Sequence, residues 1–158
     1  MGSQSLQTIL QADFIAYAGI SIADNATAQS IPNGATYTKM INFDAAENQR
    51  NATGDFANSQ ILPLADGVYS IDSSFSYKVG TNNTISYMAL FVNGVEIENI
   101  HLTRKISTGG DIGSASFTGI HSMSSGDVVD IRIRHDNVAS TDFTIVYANL
   151  NINKIDNV

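Results

Sequence analysis

The stretch that decides the fold is Phe117 to Ile133, FTGIHSMSSGDVVDIRI. Two alternating apolar runs meet there at Ser124-Ser125-Gly126-Asp127, which reads as a strand, a tight reversal and a second strand. On the second strand Val129, Ile131 and Ile133 fall on one face, and Asp130, Arg132 and Arg134 on the other. A period of two with one apolar and one charged face marks a half-buried sheet strand.

The same period recurs on both sides of this stretch. Within Gly67 to Val79, Tyr69, Ile71, Phe75, Tyr77 and Val79 oppose Ser70, Asp72, Ser74 and Lys78. Ile85–Val92 and Val95–Leu102 are joined by Asn93-Gly94, a strong hairpin signal. Phe14–Ile22, Tyr37–Phe43 and Phe143–Ile152 read as further strands. Asp44–Ser59, rich in Asn and Ala, predicts a long loop, and Ser107–Gly113 a Gly-rich one. Many strands with short polar connections predict an all-β protein, an antiparallel jelly-roll β-sandwich over residues 14–158. Residues 1–13 stand apart as an arm or short helix. Leu6, Ile9, Leu10 and Phe14 are spaced for one helical face, with Ser3 or Ser5 as N-cap. So short a helix is marginal alone, so the segment docks either on its own domain or on a larger assembly as an attachment arm.

A chain of 158 residues suits one domain, and 43% hydrophobic with 15% charged residues argues for a packed core. The net charge of −7 disfavours non-specific contact with nucleic acid. Arg104-Lys105 and the pair Arg132 and Arg134 are expected as solvated strand faces. Without cysteine there is neither disulfide nor thiolate chemistry. No segment is long and apolar enough to span a bilayer, so no membrane contact is expected. The opening residues lack the charged and apolar regions of a signal peptide, which leads us to expect synthesis in the cytoplasm.

Chemistry-bearing patterns are scarce. His101, His121 and His135 have no partner at metal-ligand spacing. His135-Asp136 with Ser140 lacks the Gly-x-Ser-x-Gly elbow that presents a nucleophile. Gly109–Gly113 has no βαβ context for a nucleotide. The carboxylates Asp127 and Asp130, and Glu96 and Glu98, lack a Gly-turned, oxygen-rich calcium loop. No catalytic residue, metal or cofactor is therefore expected, and the chain is read as a non-enzyme. The sequons Asn25-Ala26-Thr27, Asn51-Ala52-Thr53 and Asn82-Asn83-Thr84 indicate exposed loops.

Two strands break the in-out alternation. Ile85–Val92 carries Tyr87, Ala89 and Phe91 on one face, with Met88, Leu90 and Val92 on the other. Phe143–Leu150 carries Phe143, Ile145 and Tyr147 opposite Val146, Ala148 and Leu150. An antiparallel strand apolar on both faces exposes a patch unless something covers it. The N-terminal segment is one candidate cover. A neighbouring subunit is the reading adopted here.

Several segments, in order, resemble the tumour-necrosis-factor and complement globular-head superfamily. They are Ile41-Asn42-Phe43-Asp44, Gly54-Asp55-Phe56, Gly67-Val68-Tyr69-Ser70-Ile71, Ala89–Gly94, Gly119–Met123 with Gly126-Asp127, and the closing Tyr147–Leu150. The resemblance implies a compact homotrimer that binds rather than catalyses. It places His121 near the trimer axis, where three copies would form a pH-sensitive cluster. Jelly rolls of this kind also recur as trimeric parts of bacteriophage particles. The expected function is thus a structural protein on the virion surface, a capsid decoration protein or fibre tip whose partner is the major capsid or another virion protein. The alternative is a carbohydrate- or receptor-binding module that recognises a host-surface glycan.

Overall fold

The computed structural model describes residues 15–157. The expected arm, with Leu6, Ile9, Leu10 and Phe14, lies outside the described residues. Twelve strands follow: Tyr17–Ile22 (β1), Gln29–Ile31 (β2), Thr38–Lys39 (β3), Ala45–Ala46 (β4), Ala52–Asp55 (β5), Gln60–Pro63 (β6), Gly67–Val79 (β7), Thr84–Val92 (β8), Val95–Ile106 (β9), Gly113–Met123 (β10), Val129–His135 (β11) and Thr141–Asp156 (β12). They form two antiparallel sheets packed as a jelly-roll sandwich. The first has the order β10-β7-β12-β1-β4, with β2 on β12; the second has the order β5-β6-β11-β8-β9, with β3 on β11.

The core is the sum of the inward faces that the period-two pattern defines. On β7, Tyr69, Ile71, Phe75, Tyr77 and Val79 are all buried, and on β11 so are Val129, Ile131 and Ile133. Asn93 and Gly94 both take positive φ, 51° and 79°, as a two-residue hairpin turn with right-handed twist requires. Asn93 also ties this turn to the Ser124–Asp127 reversal. Its Nδ2 donates to Asp127 Oδ1 (2.8 Å), and its Oδ1 accepts from the Val128 N–H (2.9 Å). Asp127 Oδ2 accepts from the Ser124 N–H (2.8 Å), closing the Ser-Ser-Gly-Asp reversal around Gly126 at φ 88°.

Two expectations are corrected. The region 44–59 is not one long loop: it contains β4, β5 and a 3-10 turn over Phe56–Asn58. Asn51 and Ser59, at φ 47° and 53°, turn the chain sharply enough for β5 to pair with β6 just beyond this region. Conversely, the strand expected over 37–43 is shorter: Thr38–Lys39 pairs with β11, and the Met40 N–H adds one more bond to the Ile131 carbonyl (2.9 Å). Asn42 then takes φ 73°, and the Gln29 side chain satisfies the opposite edge by donating to the Lys39 carbonyl (2.7 Å) and accepting from the Ile41 N–H (3.1 Å).

At Gly54 the second sheet packs tightly against β1 of the first. A Cβ there would meet the Gly19 carbonyl oxygen at 2.5 Å and the Ile20 side chain at 3.2 Å. Because the first obstacle is backbone, Gly54→Ala should displace β5 from β1 and destabilise the fold by about 1–3 kcal/mol in urea unfolding. An unchanged midpoint would show that the contact is loose.

Candidate functional site

The seven residues expected to form a subunit interface do not come together. Phe143 and Ile145 are 1% and 3% exposed, in the core of their own sandwich. Tyr147, two residues on, is 51% exposed on the outer face of the first sheet. The cause is a bulge: β12 slips against β7 between Ile145 and Tyr147, so the alternation changes phase. Before the bulge odd-numbered residues point inward; after it Ala148, Leu150 and Ile152 do. What reads as a strand apolar on both faces is one apolar face interrupted by an extra residue.

Tyr87, Ala89 and Phe91 lie on the other sheet, facing outward, and their own chain covers much of them. Phe91 is 6% exposed and Ala89 is fully buried. Tyr37 packs edge-on against Phe91 with centroids 5.2 Å apart, and the Arg132 guanidinium lies 4.4 Å over the same ring. Ala89 sits between Arg132 of β11 and His101 of β9. No neighbour is needed to explain their burial. His121 shares the inward-facing set of β10 with Phe117 and Met123, half-buried opposite Tyr69 rather than on an outer face.

The expected solvated arginine face is likewise a packed layer. Asp130, only 2% exposed, accepts from Arg132 Nε (2.8 Å) and Nη2 (3.3 Å), with Lys39 Nζ 3.7 Å away. Arg134 lies between two rings, 3.9 Å from the Tyr87 centroid and 5.1 Å from that of Tyr37. The Tyr37 phenol is held above its ordinary pKa, chiefly by burial; Arg134 opposes the shift and Glu96 adds to it.

The outer face of the first sheet has a different character, which no single strand's pattern reveals. Its strands are in register, so that Ser21, Asn149, Ser74 and Ser116 form one row across four strands. Gly19, Asn151, Asp72 and Thr118 form the next, then Tyr17, Asn153, Ser70 and Ile120. On the other side Tyr147, Ser76 and Ser114 align. Asp72 is the sole charge in these rows, and its Oδ1 accepts from Thr118 Oγ1 (2.8 Å). A shallow groove of about 850 Å³ runs over this face, with Glu47 and Asn48 at one side and Tyr147 among its lining residues. Ile120, 60% exposed, stands on the edge strand β10. The sequence signal was present in the spacing Ser70-Asp72-Ser74-Ser76 and Ser114-Ser116-Thr118, but only the register shows that the two series lie side by side.

The residues weighed for catalysis serve structural ends. His135 is fully buried; its Nε2 donates to the Ile31 carbonyl (3.0 Å), and its Nδ1 accepts from the Asn137 N–H (3.1 Å), which defines a neutral Nε2–H tautomer. Asp136 Oδ1 accepts from the Ile85 N–H (2.9 Å). Among the described residues no three His, Cys, Asp or Glu side chains are placed to hold a metal ion.

No protein-family model matches this chain, and no curated protein sequence matches it. Solved structures do. The tumour necrosis factor Eiger from S. frugiperda superimposes with a TM-score of 0.60 at 10% identity, covering 90% of this chain and 95% of that one. The globular domain of the zebrafish complement 1qA protein gives 0.58 at 14% identity, covering 91% and 99%. Murine APRIL gives 0.56 at 11% identity, covering 89% and 99%. The chain is therefore similar in fold to tumour-necrosis-factor and complement-head domains over nearly all of its described length.

Proposed function

We propose that this chain is a non-catalytic binding or structural module that assembles as a homotrimer through the outer face of its first sheet. The observation that carries the reading is the register-aligned lattice of Ser, Asn and Thr around Tyr147. Short, nearly uncharged side chains let a second subunit approach closely without stranding charge. Tyr147 and Ile120 supply exposed apolar surface on the same face. The trimers typical of the superfamily that the sequence resembles point the same way.

In its finer form the reading places this trimer on a virus particle as a decoration protein or fibre tip, after synthesis in the cytoplasm. Its support is the apolar spacing of Leu6, Ile9, Leu10 and Phe14 as an attachment stripe. Recognition of a host-surface glycan is the alternative form.

The test is Tyr147→Asp, which puts a charge into the proposed contact but leaves the core intact. Sedimentation should show dissociation to single chains with an unchanged strand-type circular dichroism spectrum. A variant that still sediments like the wild-type oligomer would remove this face from the assembly.

A further inference from the structure

Arg134 is held by rings instead of by an acid. Its guanidinium is packed between Tyr87 and Tyr37, yet the two ion pairs formed among the described residues both belong to Asp130. Arg132, two residues away on the same strand face, shows the contrast: its fork is spent on Asp130. An arginine offers five donors in a plane that matches a carboxylate. The two rings hold Arg134 in one place, so less rotamer freedom remains to be lost on binding.

The surroundings narrow the ligand. Thr103, exposed on β9, pairs across from Tyr87, and Glu96 pairs across from Phe91, so a hydroxyl and a carboxylate stand on the strand beside the two rings. The Tyr37 hydroxyl lies between the influences of Arg134 and Glu96. Glu96, Glu98 and Asp136 on the adjoining strands and loop, with a chain charge of −7, repel a polyanionic segment. A ligand with one carboxylate on an otherwise neutral, hydroxyl-rich body meets far less of that repulsion, because it scales with the ligand's charge. Its hydroxyls would find acceptors in Glu96 and partners in Tyr37 and Thr103, while its apolar ring face would rest on tyrosine. We propose that Arg134, Tyr37 and Tyr87 form a recognition site for a uronic-acid-type sugar residue, the carboxylate docking on Arg134.

The site lies on the second sheet, on the opposite side of the sandwich from the face assigned to assembly, so either assignment can fail without the other. The test uses the full chain and three probes at low salt: sodium D-glucuronate, D-glucose and a hexaglutamate peptide. Binding is followed by saturation-transfer NMR and by the Arg134 Nε–H resonance. Glucuronate should saturate with a dissociation constant of roughly millimolar order, as expected for a single sugar residue, and should shift that resonance. Glucose lacks the carboxylate and should bind about tenfold or more weakly. Arg134→Lys keeps the charge but loses the planar fork, and should weaken glucuronate about tenfold. Arg104→Gln, whose side chain points across toward β10, should leave binding unchanged.

Equal binding of glucose and glucuronate, no binding of either, or binding of hexaglutamate in place of glucuronate would each overturn the proposal. So would glucuronate affinity that survives Arg134→Lys. Should Arg134→Lys fail to fold, the wild-type comparison of the three probes and the Arg134 resonance decide the matter without it.

Discussion

Phe143→Ala is expected to lower the unfolding free energy by about 3–5 kcal/mol, the range of buried aromatic truncations. The ring is 1% exposed and stacks between Tyr77 (6.2 Å) and His135 (5.8 Å), so its removal leaves a cavity walled by two rings that cannot both collapse inward. Tyr77 is anchored by its hydroxyl contact with Ser86, and His135 by its bonds to Ile31 and Asn137. Those bonds hold the walls apart, which places the expected loss in the upper half of the range. Tyr147→Ala, four residues along the same strand but beyond the bulge, should change the stability of the single sandwich by about 0.5 kcal/mol or less. Chemical denaturation of both variants at a concentration where each is monomeric makes the comparison. A larger loss at Tyr147 than at Phe143 would show that the bulge is misplaced.

Arg132→Ala carries the second large effect, about 2–4 kcal/mol, even though strand alternation alone puts this residue on the outer face. Its removal leaves the Asp130 carboxylate, 2% exposed, with only Lys39 at 3.7 Å, and it uncovers the Phe91 ring. The loss comes mainly from a charge left without its hydrogen bonds, so taking away both partners should restore much of it. The double variant Asp130→Asn, Arg132→Met is expected to be more stable than Arg132→Ala alone, and a double-mutant cycle measures the coupling. If Arg132→Ala costs less than about half a kcal/mol, the face is solvated after all.

These two positions also mark what could be read in the sequence. The strand-turn-strand at Phe117–Ile133, the alternation of β7 and the Asn93-Gly94 hairpin were legible because each is set by local chemistry: period two, and φ values that Asn and Gly adopt. The sandwich class followed from them. The interface set was not legible, because a one-residue bulge leaves no compositional mark, and an outward aromatic on β8 such as Phe91 looks unpartnered until Tyr37, distant in sequence, is folded over it. Small strands such as β4 and β5 escaped for a related reason. β5 is entered through the left-handed Asn51, and both strands are held by the tight packing at Gly54, against Gly19, Ile20 and Ala46, rather than by their own apolar content. The Ser and Asn rows were visible as polar alternation, but which strands stand beside one another is a non-local property, and the lattice exists only once β1, β12, β7 and β10 are neighbours.

Assembly of three copies is measured by sedimentation equilibrium of the unmodified chain at micromolar concentration, alongside Tyr147→Asp, which assigns the face. The unmodified chain should have a mass three times that of one chain, stable on dilution across that range. A folded species with the mass of a single chain would contradict this.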